Sequence, residues 1–213
     1  MDNSPRGGEQ FMAQELKIEI PAPNIQLIKV KIIGTSPLIY HKWDEKAIKM
    51  IEDKQQKKAT KGREARDPDA EYKNSFYYDS EGNIAFPARN IKQAIVGSAR
   101  FLQDVKMTIL RGAVFVKGDK DNMIPVIYKE KDKHMRKDMV TVGMGSADVR
   151  YRGELREWSM EFIIEYDGDL MSASQVVNLL QRAGFSQGLG EWRPEKNGDN
   201  GTFEVETEAG GKK

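Results

Sequence analysis

Trp158, Met160, Phe162, Ile164 and Tyr166 fall on every second position of one run and alternate with Glu161 and Glu165. A strand has a side-chain period of two, so this spacing predicts a strand over 157–166 with one face buried and the other in water. Such a strand needs partners on both edges and a layer over its apolar face. A capped helix follows it directly. Ser172 and Gln175 stand three apart, the capping-box spacing, and Val176, Val177, Leu179, Leu180 and Ala183 give a helical apolar stripe that predicts a helix over 172–184 ending at Gly184.

The remaining elements are read outward from that pair. Ile28, Val30 and Ile32 face away from Lys29 and Lys31, which predicts a strand over 26–33, punctuated by Gly34-Thr35-Ser36-Pro37. Ser75–Tyr78 and Ile84–Phe86 flank the turn residues Asp79–Asn83 and predict a hairpin. Pro87 stands where a helix begins, and Ile91, Ile95, Ala99 and Leu102 predict a helix over 89–103 whose polar side carries Arg89, Lys92, Gln93 and Arg100. Arg111–Val116 reads as a short buried strand over 112–116, and Thr202–Val205 as the last strand. A short strand or arm is expected at 14–20, and a helix from an Asp44 cap to about Gln56. Asp67, Asp69 and Asp79 read as turn residues.

In order, these elements spell β-α-β-β-α-β. The expected fold class is therefore α+β, a ferredoxin-like (RRM-like) βαββαβ domain with two basic insertions. Residues 1–12 read as a flexible N-terminal lead, 13–207 as one domain with insertions at about 41–86 and 117–157, and 208–213 as a flexible tail.

Composition narrows the chemistry. The chain has no cysteine and only two histidines, His41 and His134, which excludes disulfides, thiolate catalysis and sulfur-ligated metal centres. No cofactor and no metal site is expected. No apolar window is long enough for a membrane span, and the N-terminus lacks the apolar stretch of a signal peptide, so a soluble cytoplasmic protein with no membrane partner is expected. With a formal net charge of only +1, any affinity for nucleic acid must come from local placement of charge. Residues 54–66 hold six basic residues, Lys57, Lys58, Lys61 and Arg63 among them, against the single acid Glu64. The excursion 117–157 adds Lys129, Lys131, Lys133, Arg136 and Lys137, and then Arg150-Tyr151-Arg152, a candidate clamp of two phosphates around a stacked base.

The stretch 186–201 is the most specific feature. Gly188, Gly190, Gly198 and Gly201 let backbone amides approach a phosphate, Arg193 and Lys196 supply charge, and Trp192 offers a face for a base. A long structural turn with a packed Trp192 is the other reading. Arg89 and Lys92 join the candidate binding set from the first long helix.

A glycine-rich loop between the second helix and the last strand resembles the signature of the RAMP superfamily of CRISPR RNA-binding proteins. Phe86-Pro87-Ala88-Arg89-Asn90-Ile91-Lys92 is similar to that family's first-helix start, and Ser36-Pro37-Leu38 to the segment after its first strand. The spacing of the glycines and the charged core Glu191–Lys196 depart from the usual form. Residues 13–205 also resemble a group of tailed-bacteriophage proteins through Arg111-Gly112-Ala113, Arg136–Val140 and Gly190–Lys196. The RAMP resemblance implies binding of a single strand, a 117–157 insertion that reaches a neighbouring subunit, and a homo-oligomer along the strand. The phage resemblance implies a host-cell cytoplasm.

The function expected from these readings is non-catalytic binding of single-stranded DNA or RNA. Two alternatives stand beside it: a metal-independent endoribonuclease using His41, as the RAMP resemblance implies, and an interaction protein that blocks a host complex.

Overall fold

The computed structural model describes residues 21–43, 45–58, 66–103, 105–143 and 145–206. The expected lead at 1–12, the arm at 14–20, the Asp44 cap, Lys61, Arg63 and the tail lie outside the described residues. In chain order the elements are β1 (Ile25–Gly34), β2 (Leu38–Ile39), α1 (Glu45–Gln55), α2 (Pro68–Asn74), β3 (Tyr77–Tyr78), β4 (Ile84–Pro87) and α3 (Ala88–Ser98). They continue as α4 (Met107–Ala113), β5 (Val114–Lys117), β6 (Met123–Tyr128), β7 (Lys133–Val142), β8 (Ser146–Leu155), β9 (Trp158–Asp167), α5 (Ala173–Ser186) and β10 (Phe203–Val205). The fold is α+β, and every strand pairing among the described residues is antiparallel.

The alternating run is the central strand. β9 pairs with β1 along one edge, Ile25↔Asp167 to Ile33↔Ser159, and with β5 and then β6 along the other. The larger sheet runs β10-β1-β9-β6-β4-β3, with β5 beside β9. Trp158, Met160, Phe162, Ile164 and Tyr166 all point into the core, where they join Val30 and Ile32 of β1. The opposite face is wet and carries the ion pairs Lys29–Glu161 at 3.0 Å and Lys117–Glu165 at 2.9 Å.

α3 and α5 cover the apolar face, packed on each other and on β5 and β10 respectively. Ser98 ties them, its Oγ donating to Leu179 O at 3.2 Å and Ile95 O at 2.7 Å. α5 begins with the expected capping box, Ser172 taking the Gln175 amide and the Gln175 side chain taking the Ser172 amide. It runs past Gly184. A Cβ there would stand 2.0 Å from Phe203 O, so Gly184 lets β10 approach the helix, and the chain turns only at Gln187 and Gly188.

Four expectations are corrected. Residues 112–113 belong to α4, because Leu110 and Ala113 bury one face of a helical turn, and the strand starts at Val114. The helix expected over 89–103 spans Ala88–Ser98 and tightens into a 3-10 turn at Ala99–Phe101. The excursion 117–157 is mostly strand. β7 and β8 pair from Lys133↔Leu155 to Val142↔Ser146, and β8 joins β2 through Leu38↔Leu155, making a second sheet in the order β2-β8-β7. Part of this sheet is held by ion pairs, so no apolar period of two marks it. Asp67, expected in a turn, instead caps α2 by accepting from the amides of Asp69 and Ala70. Asp79 holds the β3–β4 turn through the amides of Glu81 and Asn83.

Candidate nucleic-acid interface

The site is built where the glycine loop after α5 meets the segment after β1. Gly188 has φ +64 and its amide donates to Ala183 O at 2.9 Å, closing the helix in a conformation that L side chains avoid. Gly190 has φ +75, and a Cβ on it would stand 2.4 Å from Ile39 O. Glycine is therefore required there by contact as well as by conformation. The next amide, Glu191 N, donates to Ile39 O at 2.9 Å, Gly201 N donates to Pro37 O at 2.8 Å, and Thr202 N donates to Ser36 Oγ at 3.0 Å. Leu189 is buried beneath the loop.

Between this loop and α3 lies a cleft of about 710 Å³. The α3 side supplies Arg89, Asn90, Lys92, Gln93 and Arg100; α4 supplies Met107 and Arg111; the loop supplies Gly188, Gly190, Glu191 and Arg193. Ile39, Tyr40, Tyr77 and Phe86 form the apolar part of the lining. Arg89, Arg100 and Arg111 are exposed, and among the described residues no carboxylate stands within ion-pair distance of them. Lys92 donates to Arg111 O at 2.8 Å and lies 3.6 Å from the centre of the Phe115 ring, and burial lowers its pKa. Arg193 is held by its own loop, Nε and Nη2 on Glu195 and Nη1 on Gly190 O at 2.8 Å.

His41 and Glu191, far apart in sequence, meet at the cleft through a hydrogen bond between His41 Nδ1 and Glu191 Oε1, with about a third of each side chain exposed. The bond from His41 is the main reason the Glu191 carboxyl lies below its ordinary pKa; burial opposes it, and the charges of Arg152 and Arg193 add to it. Tyr77 titrates high, first because it is half-buried and then because it feels the Glu191 charge. Tyr40 is fully buried, its hydroxyl has no hydrogen-bond partner among the described residues, and burial raises its pKa well above the usual phenol value.

The structure thus brings together Gly188, Gly190, Arg193, Arg89 and Lys92 from the sequence-derived set. Trp192 stands outside the cleft lining, more than a third exposed with φ +52, and its indole N–H donates to Asp138 at 3.3 Å. Lys196 is exposed on the same loop. Lys57 and Lys58 follow α1, Lys58 paired with Asp53 at 3.2 Å.

The clamp expected from Arg150-Tyr151-Arg152 does not form. On a strand, Tyr151 projects to the face opposite its two neighbours. Arg152 is buried and donates to Asp138 at 2.9 Å, while Arg150 pairs with Asp148 at 3.0 Å. Arg136 joins the same buried cluster, 2.7 Å from Asp138 and 3.3 Å from Glu154. Burial raises the Asp138 pKa, but hydrogen bonds from Arg136 and Arg152 outweigh it and hold the carboxyl low. Lys137 and Tyr151 are cross-strand neighbours on the other face, with Arg66 6.0 Å from the Tyr151 ring centre.

Sequence reasoning missed Glu191, Asn90 and Arg111 as cleft residues. The helical spacing of positions 89, 93 and 100 does carry a signal for the α3 side of the cleft. Nothing local marks the pairing of His41 with Glu191. Among the described residues no group of three or more His, Asp or Glu side chains could hold a metal ion, and no helix is long and apolar enough to cross a membrane. No protein-family model matches the chain, and a search of curated proteins finds no match.

Proposed function

We propose that this chain is a non-catalytic single-stranded nucleic-acid-binding protein whose strand lies in the cleft between α3 and the glycine loop. The observation that carries the reading is the convergence of Arg89, Lys92, Arg100, Arg111 and Arg193 on one cleft in a chain whose net charge is only +1. Arg89, Arg100 and Arg111 have no internal carboxylate to satisfy among the described residues, so a phosphate backbone is the natural counter-charge. Beneath the cleft Ile39, Tyr40 and Phe86 are fully buried, and Tyr77, partly exposed on the lining, offers a ring face to an unstacked base.

The fold reading goes with this. The order β10-β1-β9, with β5 also beside β9 and α3 and α5 together on one face, is the basis for reading the domain as ferredoxin-like βαββαβ, and the RAMP resemblance is part of that reading. A phage origin and oligomerisation along the strand belong to the same reading. The test is fluorescence anisotropy with labelled single-stranded RNA, single-stranded DNA and duplex, each at low and moderate salt. Single strands should bind and weaken steeply with salt, and absence of binding to every probe would overturn the proposal.

The His41–Glu191 pair favours one second reading, an endoribonuclease in which His41 moves the proton and Glu191 orients it. Cleavage of RNA by the parent protein that vanishes in His41→Ala would establish that reading over the first.

A further inference from the structure

Glu191 is out of place in a phosphate-binding cleft. Its neighbours on the lining are arginines and a lysine, and it repels the same backbone that they attract. Holding His41 does not require a charge, because a glutamine carbonyl would accept the same bond. The other carboxylate on the lining, Glu195, is taken up by Arg193, with contacts of 3.0 and 2.7 Å. Glu191 commits Oε1 to His41, and among the described residues no side-chain donor reaches its Oε2. A carboxylate accepts at about four lone-pair positions, so most of its capacity remains open to a ligand. The half-buried ring of Tyr77, which lines the same cleft, lies close enough to feel its charge.

Base edges differ in what they offer such a group. Uracil and thymine present one N–H between two carbonyls, which a carboxylate meets with two repulsions. Cytosine and adenine present one amine beside a bare ring nitrogen. Only guanine presents two adjacent donors, N1–H and the N2 amine, matched in spacing to a carboxylate. Its O6 acceptor then needs a donor, and the amides of Asn90 and Gln93 on α3 line the cleft with no side-chain partner among the described residues.

We infer that the cleft holds a guanine-selective base site, with Glu191 accepting from the guanine N1–H and N2 amine and Tyr77 stacking on the ring. The inference rests on the proposed binding function and adds sequence preference to it. Stacking keeps the base at the carboxylate, and the surrounding arginines hold the flanking phosphates. A bidentate contact of this type separates right from wrong bases by about tenfold or more.

The experiment measures affinity for short oligouridine and for the same strand carrying one central guanine, hypoxanthine, adenine or cytosine, with the oligothymidine series alongside. The guanine strand should bind about tenfold tighter than the unsubstituted one, and hypoxanthine, which lacks the N2 amine, should fall between. Glu191→Gln, checked by melting temperature to be folded, should bring all five strands to within about twofold of each other. Equal binding of all strands by the parent, or preference for cytosine or adenine, overturns the guanine site and leaves the binding function standing. A Glu191→Gln variant that binds every strand more tightly by one common factor also overturns it, since the carboxylate would then act only by repulsion. Failure to bind any strand overturns the proposed function and the base site with it.

Discussion

Asp138→Asn should be one of the costliest single changes in the chain, and its cost can be assigned to one atom group. Arg152 is 5% exposed and its only carboxylate partner among the described residues is Asp138, at 2.9 Å. Its Nε is already buried without a partner among the described residues. Arg136 is better protected, because Glu154 at 3.3 Å would keep its charge balanced after the substitution. The change therefore leaves one buried guanidinium without a carboxylate in contact, with only the more distant Glu191 charge acting on it, a situation that costs up to about 3–5 kcal/mol. For a chain of this size each kcal/mol moves the melting temperature by about 2–4 °C. Urea unfolding of parent and variant measures the loss. Adding Arg152→Met should recover most of it, since removing a whole buried pair is close to neutral. The acid limb of the stability curve gives a second check with a definite sign. The Asp138 pKa is lower in the folded state than in the unfolded chain, so its stabilisation is complete above the ordinary carboxyl range and disappears as pH falls through the lowered value. Asp138→Asn should remove that part of the acid dependence. A loss below about 1 kcal/mol, or no recovery with Arg152→Met, would refute the picture of a buried charge cluster.

Arg89→Ala combined with Arg111→Ala should flatten the salt dependence of single-strand binding by about 1.4 log units per log unit of salt, one phosphate each, with the melting temperature nearly unchanged; an unaltered slope would remove both from the interface. Trp192→Ala should leave strand binding nearly unchanged, because the ring stands outside the cleft lining and its indole N–H is engaged with Asp138. A loss of about 1–3 kcal/mol in affinity would show a base stacked on it and place the strand beyond the cleft. Gly190→Ala should destabilise the fold by more than the roughly 1–2 kcal/mol of left-handed backbone strain, since the added carbon would stand 2.4 Å from Ile39 O; thermal melts measure this.

Much of the main sheet was legible because its elements obey one rule each. β9 shows a clean period of two, α5 has both its cap and its stripe in the sequence, and β1 separates Val30 and Ile32 from its lysines. β7 and β8 follow a different logic. Arg136 sits opposite Arg152 and Asp138 opposite Arg150, so part of the buried face consists of charges that neutralise one another, and a reading based on apolar periodicity takes such a stretch for surface. α2 was missed although Asp67-Pro68 carried a helix-start signal, because the element is short and its apolar content small. In the candidate site, the glycines, Arg193 and the polar face of α3 could be read locally. Glu191 could not, since its significance comes from His41, and only the folded chain brings the two together.

Residues 36–41 are engaged from both sides: Gly201 N reaches Pro37 O and Glu191 N reaches Ile39 O from the loop, while Leu38 pairs with Leu155 and Tyr40 N donates to Gly153 O on β8. A stretch bonded along both edges has no slack. Inserting or deleting one residue there would shift the fully buried Leu38 and Ile39 out of register with Leu155 and Glu154 and carry His41 away from Glu191. The β7–β8 turn is the opposite case, because a Cβ added at Gly143 or Gly145 meets open space. Among related chains, length should therefore vary at the hairpin tip and stay fixed between Ser36 and His41, and the same contrast marks where a tag or label can be inserted without disturbing the cleft.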